Sequence, residues 1–298
     1  MTTATSLDSL GYYQAGPGLR AFRLALRVTQ RLWPALAVRA ALRLFGTPLP
    51  LRWLQPRGRW DAHWRIERWP FEGSALTLYT PAVAPHAPVA LLVHGWGDSA
   101  QQLQPLAESL AQHGLRPVLL DMPAHGRSPG SFSHLPQFAR AIEYVAGRLQ
   151  QQGHAIGLLA GHSLGANAAA HAVSRGLAAG RLVLLAPPAS PRAYTRYFAQ
   201  VFGLDEGTRA AMQQRIEASE AILMQQFEPP AVGPRIRVPT LVVHDRGDRV
   251  NAFADGQAYA HAIAGARLVA TDGLGHRRML KDAAVLGHVA LFANPKEI

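Results

Sequence analysis

The chain has 298 residues, of which 48% are hydrophobic and 16% charged, and its formal net charge is +11. This composition supplies enough apolar material for a globular core and excludes disorder over most of the length. The lack of cysteine excludes disulfide bonds, thiolate metal sites and cysteine nucleophiles, and it allows a reducing compartment.

Residues 1–58 predict a basic helical extension. Residues 1–72 hold 11 arginines against 4 acidic residues. Within 19–45, apolar residues recur at helical spacing with arginines beside them, and Pro34 should kink or divide the helix. The row comprises Phe22, Leu26, Trp33, Leu36 and Ala40. A helix docked on its own domain is one interpretation. Peripheral contact with a membrane surface or a partner through 19–45 is the other.

The N-terminus has no basic segment followed by an apolar one, so a signal peptide is not predicted. We expect a cytoplasmic protein, with peripheral contact at the inner membrane surface left open. Five of the six tryptophans fall within 33–69 among arginines, which could form a nucleic-acid platform. The alternation over 63–68 instead indicates a half-buried strand, so we expect no nucleic-acid partner.

Residues 59–298 predict one α/β domain. An antiparallel pair, HWRIERW and SALTLYT, is followed by short apolar strands that alternate with helices, which indicates a mainly parallel sheet covered on both faces. A helical insertion over 188–238 separates two strands. The strands are predicted at 89–93, 116–121, 156–160, 182–185, 240–244 and 267–271, and the helices at 100–113, 136–151, 166–175, 253–264 and 281–292.

The segment GHSLG, residues 161–165, lies between the strand at 156–160 and a helix of small residues. G-x-S-x-G in that position forms a sharp strand-to-helix turn that lifts Ser163 off the sheet. The turn also places the backbone N–H of Leu164 at a helix N-terminus, facing the reacting oxygen. Ser163 is therefore the candidate nucleophile.

A serine nucleophile needs a histidine base, which in turn needs a carboxylate to fix its tautomer. His276 lies in a glycine-rich loop after the strand at 267–271 and is the candidate base. The loop after 240–244 carries two aspartates. Asp248, further out, is the candidate acid, and Asp245 at the strand end is expected to cap or pair locally.

The segment HGWG, residues 94–97, follows the strand at 89–93 and is expected to supply the other oxyanion donor, the N–H of Trp96. DMPAHGRS, residues 121–128, is interpreted as a loop that braces the site. No group of histidines and carboxylates has metal-ligand spacing, and neither G-x-G-x-x-G nor a P-loop occurs. We therefore expect no metal and no cofactor.

These segments together resemble the α/β-hydrolase superfamily. HGWG, DMPAHGRS, GHSLG, HDRGDRV and GLGH match its oxyanion strand, bracing loop, nucleophile turn, acid loop and base loop in order, over about residues 60–295. The resemblance implies an α/β-hydrolase fold, with an eight-stranded, mostly parallel sheet that has one antiparallel strand, and 188–238 as a small helical cap. The extension 1–58 is not required by that superfamily.

The resulting prediction is a serine hydrolase that cleaves a small-molecule carboxylic ester through an acyl-enzyme. Carbon–carbon hydrolysis, thioester hydrolysis, lactone hydrolysis and acyl transfer remain alternatives, as does a non-catalytic ligand-binding protein on the same fold. The oligomeric state stays open. Candidate pocket walls, with cap packing as the alternative for each, are Tyr194, Tyr197, Phe198 and Phe202.

Overall fold

The computed structural model describes residues 17–49, 60–81 and 87–294, and all structural statements below refer to those residues. Their strands form one eight-stranded sheet in the order β1-β2-β4-β3-β5-β6-β7-β8. The strands are β1 (Trp64–Phe71), β2 (Ser74–Pro81), β3 (Val89–Val93), β4 (Arg116–Asp121), β5 (Ile156–His162), β6 (Leu182–Leu185), β7 (Thr240–Asp245) and β8 (Arg267–Thr271).

The direction of β2 sets it apart from the other strands. It pairs antiparallel with both β1 and β4, whereas the pairs from β4 through β3 to β8 are all parallel. The predicted fold class is thus confirmed: an eight-stranded, mostly parallel sheet with one antiparallel strand.

Helices connect the parallel strands, as the alternating pattern predicted. The α-helices are α1 (Pro17–Leu32), α2 (Pro34–Phe45), α3 (Gln104–Gln112), α4 (Leu135–Gln151), α5 (Leu164–Ser174), α6 (Pro191–Phe202), α7 (Glu206–Glu220), α8 (Pro229–Val232), α9 (Phe253–Ala262), α10 (Gly275–Arg278) and α11 (Ala283–Ala293). No helix among the described residues is both long and apolar enough to cross a membrane.

The central strands are apolar along their whole length because helices cover both faces of the sheet. All five residues of β3 and all four of β6 are buried. A cluster of leucines, valines and alanines from the strands, α3 and α11 forms the main core. This rigid sheet fixes the carboxyl ends of β3, β5, β7 and β8, from which the loops of the candidate site extend.

The described residues divide into two compact units. The sheet unit comprises 48–49, 60–81, 87–189 and 227–294. The helical unit comprises 17–47 and 190–226, so it combines α1 and α2 with α6 and α7. The sequence analysis had treated 1–58 as a separate extension and 188–238 as a separate insertion. In the structure, residues 227–238 group with the sheet unit.

The N-terminal helical segment is divided at Pro34, as predicted, but its buried row differs from the predicted one. α1 ends at Leu32 and α2 begins at Pro34. Leu26 is buried, whereas Trp33 and Leu36 are exposed, and α2 buries Ala37, Val38 and Ala41 instead. The break at Pro34 resets the helical phase, so the periodicity of α1 does not predict which residues of α2 are buried.

Candidate active site

Ser163 occupies the sharp turn between β5 and α5. Its φ is +52°, a left-handed conformation that is strained for a residue with a side chain. Two glycines make the turn possible. A Cβ added to Gly161 would lie 2.4 Å from the oxygen of Gly165, and one added to Gly165 would lie 2.5 Å from the oxygen of His94. Both glycines of GHSLG therefore lie where a side chain would collide with neighbouring backbone.

The loop after β3 passes close to this turn. A Cβ added to Gly95 would lie 2.8 Å from Cβ of Ser163, so the backbone of HGWG approaches the serine at the distance that only glycine permits. Within the described ranges, the backbone N–H groups of Trp96 and Leu164 donate to no protein acceptor. Both predicted oxyanion donors thus lie on segments next to Ser163 with their hydrogens unused.

Asp248 and His276 form a buried hydrogen-bonded pair. His276 Nδ1 donates to Asp248 Oδ2 over 2.8 Å, and the aspartate side chain has no exposed surface. Burial opposes ionisation of Asp248, but hydrogen bonds from His244 and His276 outweigh it and hold the pKa of the carboxyl below its ordinary value. With Nδ1 protonated, Nε2 of His276 carries the free lone pair that a general base needs.

Asp245 has a different set of partners. Its Oδ2 accepts from the Thr271 hydroxyl (2.8 Å) and the backbone N–H of Leu274 (2.9 Å), and its Oδ1 accepts from Gly247 N–H (2.9 Å). It therefore fastens the start of the loop that carries His276, which agrees with the local capping predicted from its position at the strand end.

Ser163 Oγ does not hydrogen-bond to His276 in this structure. Among the described residues its partner is Asn251, whose Nδ2 lies 3.4 Å away and also donates to the oxygen of Ala186 (2.7 Å). The backbone N–H of Asn251 donates to Asp248 Oδ1 (3.0 Å). Asn251 thus links the loop that carries Asp248 to Ser163, a role that the sequence analysis did not assign.

His244 also contacts the loop that carries Asp248 and Asn251. It is fully buried, its Nε2 donates to the backbone oxygen of Asn251 (3.1 Å), and the same nitrogen lies 3.5 Å from Asp248 Oδ2. Since both neighbours are acceptors, Nε2 carries the proton. Sequence analysis missed His244 because a histidine inside an apolar strand does not indicate which polar groups it contacts in the folded chain.

A second buried group joins three loops of the site. Asp98, which follows HGWG, accepts from Arg277 Nη2 (2.7 Å) and from Gln102 Nε2 (2.5 Å). His162 donates from Nε2 to the backbone oxygen of His276 (2.9 Å). Burial raises the pKa of Asp98 to about 6, while burial keeps the pKa of His162 well below its ordinary value. The loops that carry HGWG, Ser163 and His276 are therefore joined by these hydrogen bonds.

The predicted bracing role of residues 121–128 matches a closed set of hydrogen bonds. Asp121 accepts from the Tyr79 hydroxyl (2.5 Å) and from the backbone N–H groups of Ala100 (2.8 Å) and Arg127 (2.7 Å). His94 accepts on Nε2 from Met122 N–H (3.0 Å), and burial lowers its pKa to about 4. A neutral, buried His94 is therefore a structural buttress of this loop.

The four predicted pocket residues lie on α6 in the helical unit. Phe198 and Phe202 pack there against aromatic rings of the N-terminal helices: Phe198 meets Phe45 edge-on at 5.1 Å and Phe202 meets Phe22 at 5.9 Å. These contacts favour the packing alternative for these two residues. Tyr194 and Tyr197 are half-buried, and their role as pocket walls stays a prediction.

Within the described part of the chain, no three histidines, aspartates or glutamates lie together in an arrangement that could hold a metal ion. The described groups at the site are a serine hydroxyl, a histidine–carboxylate pair and two backbone N–H groups that donate to no described acceptor.

Comparisons with known proteins identify similar folds. The family model Hydrolase_4, described as serine aminopeptidase, S33, matches residues 84–226, a little under half of the chain. A comparison with curated protein sequences gave no match.

Solved structures with similar folds include hydrolases from several organisms. A hydrolase from Pseudomonas aeruginosa is 22% identical with a TM-score of 0.60, over 78% of this chain and 99% of that one. The esterase Pf2001 from Pyrococcus furiosus is 18% identical with a TM-score of 0.61, over 83% and 96%. A putative lipase from Acinetobacter baumannii is 16% identical with a TM-score of 0.60, over 78% and 91%. At these identities the likeness is one of fold.

The sheet order, the strained serine turn after β5 and the hydrogen-bonded Asp248–His276 pair on the loops after β7 and β8 are the arrangement typical of an α/β-hydrolase fold. The chain therefore has an α/β-hydrolase fold, and its segment 84–226 matches a hydrolase family model.

Proposed function

We propose that this protein is a serine hydrolase that cleaves carboxylic esters through an acyl-enzyme intermediate. The observation that carries the proposal is the hydrogen bond from His276 Nδ1 to the buried carboxylate of Asp248, beside a serine held in a strained turn. Such a pair leaves Nε2 of His276 able to take the proton of Ser163.

In the proposed reaction, Ser163 Oγ attacks the carbonyl carbon while Nε2 of His276 takes its proton. The carbonyl oxygen becomes an oxyanion that accepts hydrogen bonds from the N–H groups of Trp96 and Leu164. His276 then gives the proton to the departing alcohol. Water attacks the acyl-enzyme in a second cycle of the same proton transfers and releases the acid and free Ser163.

The resting position of the serine hydroxyl gives Asn251 a part in this sequence. Oγ lies near the amide of Asn251 rather than in a hydrogen bond with His276. In the proposed reaction, the hydrogen bond between Ser163 Oγ and His276 forms when substrate binds. Catalytic hydrogen bonds often form only in the substrate complex, so this geometry is compatible with the proposal.

An ester, rather than another acyl substrate, is proposed because the site pairs a serine nucleophile with a histidine that can protonate a departing alcohol. Similar folds include proteins named as esterases and a lipase, which supports the choice. Thioester cleavage uses the same steps, and a thioesterase domain is also among the similar folds. The substrate series below separates these alternatives.

The test is hydrolysis of p-nitrophenyl esters with two to sixteen acyl carbons, with labelling by a fluorophosphonate probe. Ser163→Ala should lower kcat by about 10⁶ and abolish labelling. Ser174→Ala, on the same helix α5, removes a hydroxyl that bonds only to the local backbone and should leave both unchanged.

A loss below about tenfold in Ser163→Ala would contradict the assignment of the nucleophile. Labelling of Ser163 without turnover of any ester would contradict the ester proposal and favour a thioester or carbon–carbon substrate. Absence of both labelling and turnover in the folded wild type would favour a non-catalytic binding protein.

A further inference from the structure

Helix α1 has one face that is fixed to the helical unit. Leu26 is buried there, and the side-chain amide of Gln30 donates to the oxygen of Gly203 (3.2 Å) and accepts from the N–H of Asp205 (2.7 Å). Arg23 Nε donates to the oxygen of Val201 (2.6 Å). Because these bonds reach the end of α6 and the turn to α7, they fix which side of α1 faces outward.

The outward side carries an apolar stripe. Leu24, Val28 and Leu32 follow one another at intervals of four residues, and Leu24 and Leu32 are 63% and 61% exposed. Trp33 and Leu36 continue the exposed apolar surface beyond α1. Six of the ten large hydrophobic residues that are exposed in the described part of the chain fall within 22–36, whereas the other four are scattered singly. Scattered residues need no explanation, but a concentrated patch marks an interaction surface.

An arginine row lies directly beside this stripe. Each residue of a helix is turned about 100° from the last, so Arg20, Arg27 and Arg31 share one flank of α1, adjacent to Leu24. All three are exposed, and within the described ranges none of them pairs with a carboxylate. The sequence contains no acidic residue between Asp8 and Asp61. Guanidinium groups in this setting are free to bind phosphate.

We propose that the outward face of α1, with Trp33 and Leu36, binds an anionic phospholipid surface. An amphipathic helix lying at such a surface buries its apolar stripe among the lipid chains near the headgroups and places its basic flank against the phosphates. Tryptophan is favoured at the same depth. The net charge of +11 adds a long-range attraction toward an anionic bilayer.

Other occupants fit this face less well. In a symmetric dimer the same patch would meet itself, which would bring two arginine rows together with no acidic residue of the segment to offset them. A protein groove would need an acidic rim to match the arginines, whereas anionic lipid supplies apolar chains and negative charge together. The proposal concerns where the protein resides and is independent of the reaction at Ser163.

The experiment is flotation of the full chain with vesicles of phosphatidylcholine containing 30% phosphatidylglycerol, or of phosphatidylcholine alone. Binding should be strong to the anionic vesicles at low salt, weak to the neutral ones and much reduced at high salt. Arg27→Gln with Arg31→Gln should lower the partition coefficient about 30-fold. This follows because each arginine near an anionic membrane surface contributes about 1 kcal/mol to binding.

The control for charge is Arg235→Gln with Arg237→Gln, which makes the same change of net charge at two exposed arginines of the sheet unit. It should lower binding less than about threefold. Leu24→Ser with Leu32→Ser should lower binding at least tenfold, whereas Leu223→Ser with Leu291→Ser, also exposed, should have little effect. Circular dichroism and thermal melting establish that each variant is folded.

Three outcomes would overturn the proposal. One is no flotation of the wild type with anionic vesicles at low salt, which would leave a protein partner as the alternative. Another is equal loss in the two arginine pairs, which would mean a general effect of charge. The last is full binding by Leu24→Ser with Leu32→Ser, which would mean that the apolar stripe does not enter the bilayer.

Discussion

Asp245 and Asp248 are chemically identical and only three residues apart, yet different hydrogen-bond donors surround them and they have different roles. Asp245 bonds to the hydroxyl of Thr271 and to backbone N–H groups of its own loop and the next. Asp248 bonds to the imidazole of His276. A carboxylate that bonds to backbone fastens a loop, whereas one that bonds to a histidine ring selects its tautomer.

This difference predicts opposite effects for two matched substitutions. Asp248→Asn should lower kcat by about 10⁴, because an amide at this position can hold His276 in the wrong tautomer. Asp245→Asn should lower kcat less than about tenfold and instead reduce the free energy of unfolding by about 2 kcal/mol, through the loss of charge-assisted hydrogen bonds. Ester kinetics and urea denaturation of both variants measure the two effects.

Retained kcat in Asp248→Asn together with a large loss in Asp245→Asn would assign the acid to Asp245 instead. Equal losses of activity in both would mean that the loop as a whole, and not one carboxylate, sets the position of His276.

The residues that sequence analysis found and those it missed differ in how they are marked. Ser163 is surrounded by glycines at fixed spacing, and Asp248 and His276 lie in polar loops after apolar strands, so local pattern identifies them. His244 contacts the backbone oxygen of Asn251, and the side-chain amide of Asn251 lies near Ser163 Oγ. These groups become neighbours only in the folded chain. No spacing records such contacts, which is why only the structure reveals them.

At the scale of elements, the N-terminal helices α1 and α2 pack against α6 and α7. Phe202 of α6 is buried in a cluster with Leu26 of α1. The ring centroids of Phe198 and Phe202 lie 4.7 Å apart. Ala41 of α2 packs with Met212 and Ile216 of α7 in a second cluster. Apolar periodicity predicted these helices and the break at Pro34. It could not give their partners, which are more than 150 residues away in the sequence.

The packing predicts a stability effect for Phe202. Phe202→Ala should reduce the free energy of unfolding by about 3 kcal/mol, since it opens a cavity in a buried cluster. Phe22→Ala, at the exposed edge of the same ring pair, should cost less than about 1.5 kcal/mol. Thermal unfolding followed by circular dichroism at 222 nm compares the two.

Kinetics of the same variants distinguish packing from a pocket wall. An unchanged stability in Phe202→Ala, with a raised KM for long acyl chains only, would contradict the packing interpretation and restore Phe202 as a substrate contact.

At the scale of the whole molecule, positive charge dominates the surface while a few carboxylates are held inside. Asp98 is the most informative of these, because it joins the oxyanion loop to Arg277 of the base loop and is almost fully buried. Burial raises its pKa to about 6, even though Arg277, His276 and Gln102 all favour the ionised form. Burial therefore destabilises the ionised form of this carboxylate in the folded chain.

The pH dependence of stability follows from that pKa. Between about pH 4 and pH 6 the folded chain keeps a proton on Asp98 that the unfolded chain has lost, so this group makes the free energy of unfolding fall as pH rises. The fall amounts to about 3 kcal/mol and is complete above about pH 7. Asp98→Asn carries no such proton, and Arg277, whose side chain is 45% exposed, can return to water.

Urea denaturation of both proteins at pH 4, 5, 6 and 7 isolates the contribution of Asp98, since every other titrating group is shared. The stability of Asp98→Asn relative to the wild type should increase by about 2 kcal/mol across this range, because part of the total change lies below pH 4. Asp272→Asn, at an aspartate whose side chain is 77% exposed, should show a constant difference. A constant difference in Asp98→Asn as well would mean that Arg277 and Gln102 compensate the burial of the carboxylate completely, and that the link between the two loops carries no cost at neutral pH.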